Sequence, residues 1–148
     1  MKLIFKKLKE NAVIPHRATA GSAGFDLSAC IDNPITLLPG QICSVSTGLA
    51  VQPECGDAAL LIFPRSGLAS KHGVSLANCV GVVDIDYRGE ILVPLINHGS
   101  KSFTVENGMR IAQLVVTPVI IPEISEAQEL DDTSRGCGGF GSTGIGGI

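Results

Sequence analysis

The sequence predicts an all-β fold interrupted by one short helix, and three observations carry that prediction. Short apolar runs, several of them alternating, recur between Gly- and Pro-marked turns, as half-buried strands do. Glycine makes up 18 of 148 residues and proline 8. That glycine share of about 12%, against a usual ~7%, leaves little uninterrupted length for long helices. Only P-R-S-G-L-A-S-K-H-G, Pro64 to Gly73, carries both a helix start and a helix stop signal.

In chain order, Lys2 to Leu8 alternates like an edge strand guarded by lysines. Ile14-Pro15 opens a polar loop that runs to A-G-F-D-L, Ala23 to Leu27. Strand alternation puts Phe25, Leu27 and Ala29 on one face and Asp26, Ser28 and Cys30 on the other. Asp26 therefore looks away from the core unless it faces a cleft. Pro39-Gly40 marks a turn between Ile35–Leu38 and a strand at Gln41–Thr47. Leu49–Gln52 and Ala58–Phe63 read as further strands, with Pro53 and Gly56 in the turn between them.

The helix from Pro64 to Gly73 has Ser66 as its expected N-cap and Gly73 where a left-handed C′ residue belongs. About two turns long, it is too short to be stable alone. Its free N–H groups, with Arg65 and Ser66 beside them, suit a phosphate. The motif alone is equally consistent with a connector carrying a surface arginine. Beyond it, Val74–Asn78 and Gly81–Asp84 read as a hairpin around Asn78-Cys79-Val80. Ile91–Asn97 contains Pro94, which predicts an edge strand or a bulge. Ser102–Val105 leads through the Glu106-Asn107-Gly108 turn into Met109–Thr117. Alternation there puts Gln113 with Met109, Ile111 and Val115, and Arg110 on the opposite face. Those two side chains cannot serve one ligand unless the strand bulges. Gln113, a carboxamide in an apolar row, requires a specific partner.

Composition narrows the function classes. A net charge of −3 argues against nucleic acid or a membrane surface as partner. A polyanionic small ligand would be met by a few local cations. The five cysteines (Cys30, Cys43, Cys55, Cys79, Cys137) are scattered, with no C-x-x-C and no His at ligand spacing. They read as reduced thiols, not a disulfide frame or zinc site. No run has signal-peptide or membrane-span length. A cytoplasmic protein is expected.

The chemistry centres on G-V-V-D-I-D-Y-R-G-E, Gly81 to Glu90, where a strand ends in two carboxylates, Asp84 and Asp86, followed by an aromatic ring. Taken alone, turn-forming aspartates and a half-buried tyrosine account for it. The tail changes character after Pro122. Glu123–Ser134 is acidic, and R-G-C-G-G-F-G-S-T-G, Arg135 to Gly144, has the composition of a phosphate loop without its G-K-[ST] ending. Glycine-rich tails are usually disordered; a solvated tail, however, has no need of Phe140, Arg135 and a Ser-Thr pair so placed. Extended at ~3.3 Å per residue, the dozen residues after Pro122 could span up to about 40 Å, enough to reach a neighbouring subunit.

Five segments in order resemble the motifs of the trimeric dUTP diphosphatases (dUTPases). They are A-T-A-G-S-A-G-F-D-L (Ala18–Leu27), P-R-S-G-L-A-S-K-H-G (Pro64–Gly73), N-C-V-G-V-V-D-I-D-Y-R-G-E (Asn78–Glu90), G-M-R-I-A-Q (Gly108–Gln113) and R-G-C-G-G-F-G-S-T-G (Arg135–Gly144). The resemblance implies a jelly-roll-like β-barrel subunit over residues 1–122, with 123–148 as linker and arm closing over a neighbour's site. It also implies a homotrimer whose sites are each built from all three chains. The implied reaction is hydrolysis of dUTP to dUMP and pyrophosphate, clearing dUTP and supplying dUMP for thymidylate synthesis, with Mg²⁺ held mainly by the substrate's phosphates.

By the same resemblance, Asp84 is the general base, although either Asp84 or Asp86 satisfies the chemistry. Arg65, Ser66, Gly67 and Gln113 hold phosphates, Asp26 orients a metal-bound water, and Tyr87 packs on the deoxyribose. Asn78 meets the uracil edge. Because a carboxamide can flip, discrimination from cytosine falls to the backbone groups near Cys79 to Val83, Gly81, Val82 and Val83 among them. Arg135 meets the γ-phosphate, Phe140 covers the base, and Gly141, Ser142 and Thr143 close the lid; Arg110 is left to structure. Two alternatives share this fold: a dCTP deaminase relative and a non-catalytic nucleotide sensor. The first carries an additional catalytic Glu on the strand that here reads Ile91-Leu92-Val93-Pro94-Leu95-Ile96. The second would be expected to lose the base or the tail, and both are present.

Overall fold

The computed structural model describes residues 1–54 and 56–139. Among them are eleven strands and one helix. The strands are β1 (Leu3–Lys7), β2 (Phe25–Ser28), β3 (Ile35–Leu37), β4 (Ile42–Ser46), β5 (Leu49–Pro53) and β6 (Ala58–Pro64), then, after helix α1 (Ser66–His72), β7 (Val74–Leu76), β8 (Gly81–Val83), β9 (Leu92–Asn97), β10 (Phe103–Val105) and β11 (Arg110–Pro118). The mostly-β, single-helix expectation therefore holds. The described strands form four antiparallel sheets, ordered β1-β5, β10-β3, β2-β11-β6-β8 and β4-β9-β7, without one closed ladder around them.

Alternation builds the core. Leu60 and Ile62 of β6, Val93 and Leu95 of β9, and Leu114 of β11 pack with Leu27, Leu37, Val45 and Val105 in one cluster, all at most 3% exposed. Burial on this scale, roughly 25 cal/mol per Å² of apolar surface, is what holds strands too short to persist alone.

Several local expectations are corrected by tertiary pairing. Val74–Asn78 and Gly81–Asp84 are not a paired hairpin: β7 joins β9 and β8 joins β6, in different sheets. The chain changes sheet at Asn78-Cys79-Val80, where Cys79 takes φ 62° and its N–H reaches Leu76 O at 3.2 Å. Pro94 lies on a central strand, since β9 runs between β4 and β7. It is tolerated because its carbonyl side faces Ala77, just past the end of β7, and accepts that residue's N–H at 2.8 Å. Its missing donor therefore removes no rung of the β7 ladder. Ser66 is not the N-cap of α1; Arg65 is, in extended backbone and without a side-chain cap. Gly73 does close the helix in left-handed conformation, φ 68°.

The largest correction is on β11. The β2–β11 register slips between Arg110 and Ala112, a bulge, so Ile111 and Ala112 are both buried. One extra residue reverses the alternation. Arg110 and Gln113 consequently share a face instead of opposing each other. Beyond Val119, whose N–H meets Asp57 O at 3.1 Å, the described residues join no strand or helix.

Candidate active site

The sequence-nominated residues gather in two cavities. The larger, about 770 Å³, is lined by Asp26, Arg65, Ser66, Gly67 and Gln113. The smaller, about 230 Å³, is lined by Asn78, Gly81, Val82, Val83, Asp84 and Tyr87. They share no residue. Phe63 of β6 and its cross-strand partner Gln113 line the larger cavity, whereas Ile62, pointing to the other side of the same strand, lines the smaller. A single chain thus keeps its two sets of groups apart.

The larger cavity is organised by Asp26. This carboxylate, with a side chain only 11% exposed, meets Arg65 Nε through Oδ1 and Arg110 Nη1 through Oδ2, each at 3.0 Å. Arg65 Nη1 also donates to the Arg110 carbonyl at 3.4 Å. The β11 bulge makes this possible by turning Arg110 toward β2. Two guanidinium groups on one carboxylate leave the cluster net positive, the sign an anion requires. The Gln113 amide donates to Pro64 O at 3.0 Å, which supplies the partner its apolar row demanded. Lys71 and His72 line the cavity too and were not anticipated. Helical spacing held the signal for Lys71, which stands at i+4 from Gly67.

In the smaller cavity, the 84–90 loop is fixed from within. The Tyr87 N–H closes a turn on Asp84 O and its hydroxyl donates to Glu90 O, both at 3.1 Å. The ring lies over Gly89, where a Cβ would fall 2.3 Å from the tyrosine oxygen, so the ring's seat requires glycine. Tyr87 keeps 46% exposure, an amphipathic surface open to a ligand. Asp84 lines the cavity, whereas Asp86 stands in the adjoining turn outside both lining sets. The edge strand β8 also offers backbone N–H and C=O groups along its outer side. Glu90 was missed in the sequence. Its Oε1 accepts Ser46 Oγ–H and the Gly48 N–H, the latter at 2.7 Å, and so ties the loop to the end of β4.

No three His, Cys, Asp or Glu side chains among the described residues could hold a metal together. Mg²⁺ usually binds ligand phosphates and keeps its waters, which needs no such cluster. Each Asp26 oxygen makes one arginine contact and keeps another lone-pair site. Arg135 donates from Nε to Gly138 O at 2.7 Å within a tail turn. Phe140, Gly141, Ser142 and Thr143 lie outside the described residues.

A cationic, carboxylate-organised cavity and a second cavity rimmed by an edge strand, a tyrosine and an aspartate suit an anionic ligand and a ring-bearing one. Comparison with known proteins is more specific. A family model described as dUTPase matches residues 10–144. Deoxyuridine 5'-triphosphate nucleotidohydrolase of Desulfitobacterium hafniense is 51% identical over 98% of this chain and 96% of its own length. The protein of the same name from Treponema denticola is 51% identical over 96% of this chain and 98% of its own length. Among solved structures, a G164S dUTPase of Staphylococcus bacteriophage 80alpha with dUpNHpp is 27% identical, has a TM-score of 0.86, and aligns over 97% of this chain and 99% of that one. This chain belongs to the dUTPase family.

Proposed function

We propose that this chain hydrolyses dUTP to dUMP and pyrophosphate at sites shared between three copies of itself. The carrying observation is the separation of the two cavities, which share no residue. One offers what a triphosphate needs, the other what a deoxyuridine and an attacking water need. Either alone is half a site, and a second copy supplies the other half. The names of the relatives and the dUpNHpp held by the phage enzyme support this substrate.

In this reading Arg65, Ser66 and Gly67 grip the phosphates, with Arg65 kept in place by Asp26, and Gln113 adds a hydrogen bond. Asp84 accepts a proton from a water aimed in line at the α-phosphorus. A P–O bond forms to that water, the bond to the bridging oxygen of the β-phosphate breaks, and pyrophosphate leaves with the electron pair. Asp26 would be the residue to hold a water of a phosphate-bound Mg²⁺, which when present would supply charge neutralisation to the triphosphate. Tyr87 fills the space a 2′-hydroxyl would need. The β8 edge, whose backbone donors and acceptors cannot flip, reads uracil beside Asn78; a mismatched buried pattern can reject a wrong base by roughly 10⁴–10⁵. Residues 123–148 form the arm that brings Arg135, Phe140, Gly141, Ser142 and Thr143 over a neighbour's site, and residues 1–122 form the body.

Cytoplasmic residence belongs to this reading, supported by the free thiols Cys30, Cys43, Cys79 and Cys137. No helix among the described residues is long and apolar enough to cross a membrane. The test is pyrophosphate release from dUTP, dCTP, dTTP and UTP side by side, with ammonia measured in parallel and oligomer mass by sedimentation. Release confined to dUTP by a trimer is expected. Ammonia from dCTP, or an active monomer, overturns it.

A further inference from the structure

Helix α1 presents a mechanical problem. It spans seven residues, none of them buried, yet the Arg65–Gly67 segment at its start must be held still to grip phosphates. Its other end is clamped. The His98 N–H donates to Gly73 O at 2.8 Å, and the His72 ring rests on Phe103 with centroids 5.1 Å apart. Gly73 and Gly99 meet backbone to backbone: a Cβ at Gly73 would fall 2.6 Å from Gly99 N, and one at Gly99 2.5 Å from His72 O. The Gly99 turn is itself locked by Asn97, which is 0% exposed. Asn97 donates from Nδ2 to Leu37 O at 2.9 Å and to Lys101 O at 2.8 Å, and accepts the Gly99 N–H on Oδ1 at 2.9 Å.

We infer that Asn97 and Gly99 are positioning residues for phosphate binding: they form a buried stop against which α1 seats, and so fix Arg65, Ser66 and Gly67 in the larger cavity. The inference rests on the phosphate role proposed for those three residues. Gly99 is not among the positive-φ glycines, so an alanine there is conformationally allowed and probes space alone. Its methyl would stand 2.5 Å from His72 O, where ordinary contact begins at 3.4 Å, so something must move by about 0.9 Å. Asn97's buried bonds hold one side. The helix, held to the core by Leu68 and through Arg65 to Asp26 but otherwise exposed, is the side that shifts. A displacement of about 1 Å at a positioning group can cost about 10²-fold in rate.

The experiment compares dUpNHpp and dUMP binding by calorimetry in wild type, Gly99→Ala, Phe103→Leu and Arg65→Ala, with dUTP kcat/KM alongside. Gly99→Ala is expected to lose about 10²-fold in kcat/KM. It should also lose most of the preference for dUpNHpp over dUMP while holding dUMP as before. Phe103→Leu, which removes the ring beneath His72 without a clash, gives a smaller loss of the same ratio and serves if Gly99→Ala does not fold. A lowered melting temperature with an unchanged dUpNHpp:dUMP ratio in both variants overturns the inference, leaving Gly99 merely structural. If Arg65→Ala also leaves that ratio unchanged, the phosphate role itself is wrong and the inference falls with it.

Discussion

Glu90 allows a prediction worked from the structure. Its Oε1 accepts two hydrogen bonds, from Ser46 Oγ and from the Gly48 N–H, beside the tie that Thr47 Oγ1 makes to Ile91 O at 2.7 Å. A hydrogen bond to a charged group contributes about 1.5–3 kcal/mol when buried, so the pair sets a ceiling of about 3–6 kcal/mol. Glu90 is half-buried, and water can replace part of what is lost; roughly half the ceiling, about 1.5–3 kcal/mol, is the expected cost of Glu90→Ala. Glu90→Gln keeps an oxygen acceptor in place but exchanges charged for neutral bonds, and should cost about 1 kcal/mol. At roughly 2–4 °C per kcal/mol for a chain of this size, the melting temperature should fall by about 3–12 °C for alanine and about 2–4 °C for glutamine. Both are measured at one fixed protein concentration, because assembly shifts apparent stability. The loop also carries Asp84 and Tyr87, so alanine should lower dUTP turnover more than glutamine does. An alanine variant that melts with wild type would refute the reasoning, as would a glutamine variant no better than alanine.

Other outcomes follow from the site. Asp84→Asn should lower kcat by about 10²–10⁴ while dUpNHpp still binds; a greater loss from Asp86→Asn would reverse the assignment of the base. Tyr87→Ala should erode the preference for dUTP over UTP, and an unchanged ratio of specificity constants would remove Tyr87 as the sugar gate. Deleting Arg135–Ile148 should leave folding and assembly intact, because its described residues, Arg135 to Gly139, contribute nothing to the β-sheet core, but should abolish most turnover by removing the lid. Mixing that deletion with full-length Asp84→Asn should restore part of the activity. Mixed trimers that form and stay inactive would show that the arm does not act across subunits.

By itself the sequence determined the mostly-β character, the helix closed by Gly73, and many of the residues that line the two cavities. These are local properties: side-chain periodicity, glycine's access to φ > 0, and chemical groups at fixed spacing. Tertiary structure decided how those pieces face one another. Arg110 and Gln113 alternate to opposite faces on paper, and only the register against β2, with its bulge, puts them on one face. Asn78-Cys79-Val80 has a turn's composition, yet whether it joins paired strands depends on which neighbours capture β7 and β8, a choice made by β9 and β6. Pro94 reads as an edge residue until Ala77 is found ending the ladder beside it. Glu90 closes the Asn78–Glu90 motif, yet its role was not legible, because its partners lie 42 and 44 residues away in sequence. Pairing energies between distant strands are set by burial over the whole core, which no local window of residues contains.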